Sequence, residues 1–132
     1  MTTPHSPANE LAALLADIDA AASARDADRV VAFLLDSPGF AWTFNGRTST
    51  SVAEVRDAHA DAWRDVSSAT FTTGEPRVAM IGADRAVLTA SGRSERTYRD
   101  GRRMSRDYAV TLYVVRTAVG WRIVQAHEST PQ

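Results

Sequence analysis

The spacing of apolar residues changes once along this chain, near Ser67, and that change sets the class of fold. Up to that point apolar residues recur at helical intervals. Beyond it they alternate at every second position. Helices gathered in the first half and strands in the second predict an α+β domain with an antiparallel sheet. A long sheet of this kind curls, so three N-terminal-half helices are expected against its concave side.

Local signals place the elements. Ser6-Pro7 reads as an N-cap followed by proline at the first helical position. Leu11, Leu14, Leu15, Ile18 and Ala22 continue that helix to about Ala24. Asp26 caps a second helix carrying Val30, Val31, Phe33, Leu34 and Leu35, which Ser37-Pro38-Gly39 ends. Phe40 to Asn45 alternates as a strand and closes on the Asn45-Gly46 turn signal. Ser51-Val52-Ala53-Glu54 is a capping box. The helix it opens puts Val52, Val55, His59, Ala62, Trp63 and Val66 on one face. Strands are expected near 69–81, 85–98, 107–117 and 121–129, with turns at Gly82-Ala83-Asp84, Asp100-Gly101 and Ala118-Val119-Gly120. The organisation reads as a flexible tail over residues 1–6 and one domain over 7–132.

Composition excludes several chemistries. No cysteine exists, so thiolate nucleophiles, disulfides and cysteine zinc sites are out. Every basic residue is Arg, so no lysine can form a Schiff base. A formal net charge of -1 gives no general attraction to nucleic acid or anionic membrane. No apolar run approaches the roughly 20 residues of a membrane span, and the N-terminus has no basic and apolar leader pattern. The expectation is a cytoplasmic protein that needs neither nucleic acid nor membrane. The all-arginine basic set hints at a GC-rich bacterial genome.

The last strand, Gly120 to Ser129, is the most informative segment for a site. Strict alternation would put Trp121, Ile123, Gln125, His127 and Ser129 on one face, apolar at its start and polar at its end. Such a stripe suits a sheet lining a cavity.

The element order, with Ala24-Arg25-Asp26-Ala27-Asp28, Phe44-Asn45-Gly46 and Gly120-Trp121-Arg122-Ile123-Val124 followed by His127 and Ser129, resembles the nuclear transport factor 2-like superfamily. It is most similar to the SnoaL-like and ketosteroid-isomerase-like bacterial branches, over about residues 8 to 130. The last two strands also resemble the association domain of calcium/calmodulin-dependent protein kinase II. The resemblance implies a cone-shaped fold with a pocket between sheet and helices, and a dimer. It implies no single activity, because such folds carry isomerases, cyclases, dehydratases, epoxide hydrolases and non-catalytic domains. Steroid isomerases of this superfamily use a carboxylate at the first strand and a tyrosine on the first helix. Phe40 to Gly46 contains no Asp or Glu here, and the first helix no Tyr.

Two histidines are candidate acid–base groups. His127 lies on the last strand, where it is either a pocket base or a strand-end imidazole bonded to backbone or to a dimer partner. His59 lies on the apolar face of the third helix, where it either points into the same cavity or is a buried neutral residue. Trp42, Phe44, Trp63, Tyr98, Tyr108, Tyr113 and Gln125 are the candidate ligand-binding residues around a small hydrophobic ligand, and most of the aromatic ones also serve as core. The 107–117 strand carries Tyr108, Val110, Leu112 and Val114 on one face and Asp107, Ala109, Thr111 and Tyr113 on the other. Spacing alone does not say which meets the helices. Arg93, Arg96, Arg99, Arg102, Arg103 and Arg106 crowd one hairpin, either as an anion or nucleic-acid patch, as a solvated tip offset by Glu95, Asp100 and Asp107, or with one Arg turned inward to grip a ligand carboxylate. No metal-ligand spacing and no cofactor loop is present. Two functions follow. One is a cofactor-free isomerase, cyclase or dehydratase acting on a hydrophobic carbonyl compound. The other is a non-catalytic ligand-binding or assembly homodimer joined through the outer sheet face.

Overall fold

The computed structural model describes residues 6–131, and the expected tail, apart from Ser6, lies outside them. Helix α1 spans Pro7–Ser23, and the Ser6 side chain caps it by accepting from the Asn9 amide. Its buried stripe is Leu11, Leu14, Leu15, Ala21 and Ala22. Arg25 ends the turn at φ 55°. Helix α2 is Ala27–Val31, with the Asp26 carboxylate accepting from the Arg29 amide. It stops short of the expected Leu35. The Leu35 amide donates to the Ile123 carbonyl and the Ile123 amide to the Phe33 carbonyl, each at 2.8 Å. A strand partner has taken the backbone groups that a further helical turn needs.

Strands β1 (Ala41–Phe44) and β2 (Arg47–Ser49) form a hairpin. Its two-residue turn, Asn45 at φ 48° and Gly46 at φ 87°, needs positive φ at both positions, which Asn and Gly tolerate. Helix α3 (Val52–Trp63) is capped by Ser51, whose hydroxyl accepts from the Glu54 amide. Then come β3 (Val66–Thr73), β4 (Arg77–Met80), β5 (Arg85–Tyr98), β6 (Arg103–Thr117) and β7 (Gly120–Ser129). The strand expected over 69–81 is two strands. Gly74-Glu75-Pro76 breaks it where Pro76 has no amide to offer, and both halves pair with β5.

The sheet runs β2-β1-β7-β6-β5-β3, curved and unclosed. It is mixed, not purely antiparallel as expected, because β1 pairs with β7 in parallel. Most of the chain separates these two strands, so no tight turn forces them antiparallel. The helices cover one face. Ala86, Leu88, Ala90, Leu112, Val114, Trp121, Ile123 and Ala126 are buried there with Leu11, Leu14 and Leu15 of α1. Tyr108, Val110, Leu112 and Val114 therefore face the helices, and Tyr113 faces away.

A β-bulge corrects the expected stripe of β7. Tyr113 pairs with Gln125, but its neighbour Val114 pairs with Ile123, so Val124 is an extra residue. An inserted residue reverses the alternation beyond it. The inner stripe is Trp121, Ile123, Ala126 and Glu128. Gln125, His127 and Ser129 lie on the outer face, all exposed.

Edge strand β3 is covered by side chains of α1. The Phe71 amide donates to Ser23 Oγ at 2.9 Å, and the Thr73 amide to Asp19 Oδ2 at 2.7 Å. Four helical residues rise about 6 Å and two strand residues about 6.6 Å, so the two rows stay in step. Free edge amides that would otherwise invite another strand are thereby occupied. Near the start of α1, Glu10 accepts from Trp121 Nε1 at 2.7 Å and from Arg116 at 2.9 Å, fixing α1 to the β6–β7 end.

Candidate functional site

Parallel partners in register share a face, so Trp42 stands beside Ala126 and Phe44 beside Glu128, all toward the interior. Helix α3 brings His59 and Trp63 to the same place from the opposite side, one turn apart. The imidazole lies edge-on to Trp42 (centroids 5.6 Å apart) and to Trp63 (5.0 Å). Trp63 in turn meets Phe71 of β3 edge-on at 6.2 Å. The guanidinium of Arg96 on β5 lies 5.6 Å over the Phe71 ring.

His59 has one committed nitrogen. Its Nδ1 is 2.8 Å from the Val55 carbonyl, which can only accept, so Nδ1 carries the hydrogen and Nε2 the lone pair. Burial pushes the imidazole pKa below its usual value, the Val55 bond opposes that, and the positive charge of Arg96 adds to the lowering. A neutral imidazole of fixed tautomer with a free lone pair is a general base in form.

Glu128 is the second ionisable group inside. Burial raises its pKa, while the charges of Arg96 and Arg106 pull it back down. Arg106 is paired across the β5–β6 ladder with Ser94, the one buried polar residue among the described residues. The Nε atom of Arg96 is buried and has no hydrogen-bond partner among the described residues. Arg96 thus acts on both His59 and Glu128, and Arg106 on Glu128, in an interior shared with Trp42, Trp63 and Phe71.

A separate polar chain runs alongside. Asp19 accepts from the Thr73 hydroxyl at 2.7 Å, which leaves the Tyr108 hydroxyl to donate to Thr73 Oγ1 at 2.6 Å. Burial, opposed by the Thr73 bond and reinforced by Asp19 and Glu128, pushes the Tyr108 phenol up to about 12. Its ring crosses Gly92, where a Cβ would sit 2.4 Å from the ring and its hydroxyl.

The candidates named from sequence divide accordingly. His59, Trp42 and Trp63 come together, with Phe44 on the same inner face. Tyr108 belongs to the Asp19–Thr73 chain. Tyr98 packs against a second buried group, Ala21, Ala22, Val30, Trp63 and Val66, under the Arg102 guanidinium, 4.3 Å from its ring. Tyr113, Gln125 and His127 lie on the outer face, where Gln125 Nε2 donates to the Gly39 carbonyl at 3.2 Å. The two imidazoles therefore do not meet across one cavity. Sequence reasoning missed Glu128, because a bulge leaves no mark in the pattern. It left Arg96 undecided, although extending the buried series Ala86, Leu88 and Ala90 by twos along β5 reaches it.

Two open concavities, about 410 and 700 Å³, are lined mainly by outer-face residues such as Thr70, Glu95 and Ser105, and Ser91, Asp107 and Ser129, the first also reaching Arg96 and the second Tyr108. Neither includes His59 or Glu128. The ionisable groups shifted by burial, His59 and Glu128, lie inside. Among the described residues no group of three or more carboxylate or imidazole side chains is placed to hold a metal ion. No described helix is long and apolar enough to cross a membrane.

The sequence profile of the SnoaL-like domain matches residues 11–132. No curated protein matches the chain. Among solved structures, a nuclear transport factor 2-like superfamily protein from Salmonella enterica is 16% identical with TM-score 0.84, over 95% of this chain and 91% of that one. A ketosteroid isomerase-like protein from Erwinia carotovora atroseptica is 16% identical with TM-score 0.72, over 91% and 92%. A type 2 hexachlorocyclohexane dehydrochlorinase is 13% identical with TM-score 0.79, over 93% and 84%. At these identities the likeness is one of fold.

Proposed function

Because the chain belongs to the SnoaL-like domain family of the nuclear transport factor 2-like superfamily, we propose that it binds a small hydrophobic carbonyl compound between sheet and helices and moves a proton on it without a cofactor. His59 is the base. One observation carries this reading: a neutral imidazole with its Nδ1–H held by Val55 stands between two indoles, beside Arg96 and within the group that includes Glu128. The reaction class is proton abstraction next to a carbonyl, as in an isomerase, cyclase or dehydratase. In this scheme Nε2 takes the proton, an arginine steadies the developing oxyanion, and Glu128 is the second group able to carry a proton. Among the neighbours, one is named for its likeness to a ketosteroid isomerase, while the hexachlorocyclohexane dehydrochlorinase acts on a compound without a carbonyl and shares with this class only the removal of a carbon-bound proton. The cytoplasm is its proposed place of work.

The test is substrate-neutral. An enolisable cyclic ketone such as 2-tetralone is incubated with the protein in deuterated buffer, and loss of the α-proton signal is followed by NMR. Wild-type protein is expected to speed exchange over buffer. His59→Gln should lose that acceleration by roughly a hundredfold, and His127→Ala should keep it. Equal rates for wild type and His59→Gln would reject the role of His59.

A second reading has its own observation. The outer face carries only partly buried Val87, Tyr113, Val115 and Val124 among Thr89, Thr111, Gln125 and His127. A sheet-to-sheet homodimer would cover these branched and aromatic side chains. It is compatible with either a catalytic or a purely binding interior. Light scattering that gives a monomer mass at tens of micromolar chain would reject it.

A further inference from the structure

Arg96 holds a position that the chain itself does not explain. Its Nε is buried with no hydrogen-bond partner among the described residues, while its guanidinium plane rests over Phe71. Native folds leave very few buried donors unpaired, and a charged one costs more than a neutral one. Arg96 and Arg106 both act on the Glu128 carboxylate, and the imidazole on the other side of Arg96 brings no negative charge. Resting on the interior site proposed above, we infer that Arg96 is the anchor for an anionic oxygen, so that the ligand is a flat, mainly apolar molecule bearing one carboxylate or phenolate.

Each part of that description comes from a contact. Trp42, Trp63, Phe71 and Phe44 supply aromatic faces and edges, which suit a planar apolar body. The guanidinium offers a planar fork of donors already held by its ring contact, so little side-chain freedom is lost when it grips an oxygen pair. The Arg96 fork, with its unpartnered Nε, suits one negative charge. Glu128 would repel a second, which argues against dicarboxylates and phosphates.

The test compares two probes of nearly the same shape, 2-naphthoate and neutral 2-naphthamide. Binding is followed by quenching of tryptophan fluorescence and by calorimetry. Wild-type protein is expected to bind the naphthoate about tenfold or more tightly than the amide, as a charge-assisted contact adds to a common aromatic one. Arg96→Gln should erase that preference and leave affinity for the amide nearly unchanged. Arg96→Lys should keep part of it, and Arg106→Gln most of it. Arg96→Met removes the unpaired donor, so it should melt no lower than wild type, which guards against a trivial folding defect. If Arg96→Gln does not fold, the two-probe comparison on wild type and Arg96→Lys still decides. Equal affinity for the two probes, a preference that survives in Arg96→Gln, or no naphthoate binding at millimolar concentration would overturn the proposal, the buried donor then being served by water. The outcome is separable from that of the His59 scheme. A naphthoate preference in a protein whose His59→Gln variant exchanges 2-tetralone as fast as wild type would uphold the anchor and reject the base.

Discussion

Replacing Asp19 by Ala is expected to loosen the edge of the sheet opposite the β1–β2 hairpin. The Asp19 carboxylate accepts both the amide and the hydroxyl of Thr73, each at 2.7 Å, and through that hydroxyl it orients Tyr108. Hydrogen bonds to a charged group contribute about 1.5–3 kcal/mol each. Part of that is returned, because burial is the largest influence on Asp19 and raises its pKa. A net loss of about 2 kcal/mol is the expected result for Asp19→Ala. With an unfolding entropy of roughly 2.1 cal/mol/K per residue, that loss lowers the melting temperature by about 7 °C for a chain of this size. Asp19→Asn keeps an acceptor for the Thr73 amide and sheds the buried charge, so it should fall within about 1 kcal/mol of wild type. Ser23→Ala removes one neutral bond, to the Phe71 amide, and should cost about 1 kcal/mol. Urea unfolding at pH 7, read by tryptophan fluorescence, measures all three. The pH dependence has a definite sign. A folded-state pKa above 3.8 means that the native protein holds more protons just above that pH. Wild type should therefore gain stability relative to Asp19→Asn as pH falls through that window, and lose it as pH rises. If Asp19→Ala lies within about 0.5 kcal/mol of wild type, helix α1 does not hold β3 through these bonds.

Two further substitutions probe the interior. His59 has a folded-state pKa below 6.5, so wild type should lose stability as pH falls below 6.5 toward that lowered value, while His59→Phe shows no such loss; parallel urea midpoints at pH 7.5 and 5.5 give the difference. Gly92→Ala places a Cβ 2.4 Å from the Tyr108 ring and 2.7 Å from the Thr72 carbonyl oxygen, and thermal melts should show a loss of about 1–3 kcal/mol.

The elements of this fold were largely legible in its sequence because local rules fix them. Ser6-Pro7, Asp26 and Ser51 cap the three helices where their side chains predict, and Asn45-Gly46 makes the only kind of turn that pair favours in a hairpin. What was not legible depends on partners distant along the chain. Helix α2 ends early because Ile123 claims the backbone of Phe33 and Leu35. The parallel β1–β7 pairing joins strands most of the chain apart. The candidate site was legible in part. The 3.6-residue period puts His59 and Trp63 together with no further information, and Trp42 follows from alternation in β1. The bulge at Val124 then inverts the end of β7, exchanging His127 for Glu128 at the interior. No propensity signals a one-residue insertion of this kind, since Val124 is an ordinary strand residue.

The most direct measurement is a pH titration of the His59 ring by NMR on protein labelled with nitrogen-15 in histidine, using His59→Gln to assign the signals. His59 is expected to be a neutral Nδ1–H tautomer at pH 7, to titrate below the ordinary imidazole value of 6.5, and to show a shifted Nε2 resonance when 2-tetralone is added. A His59 that is protonated at pH 7, or that carries its hydrogen on Nε2, would rule out its role as the base, because no imidazole lone pair would then face a ligand.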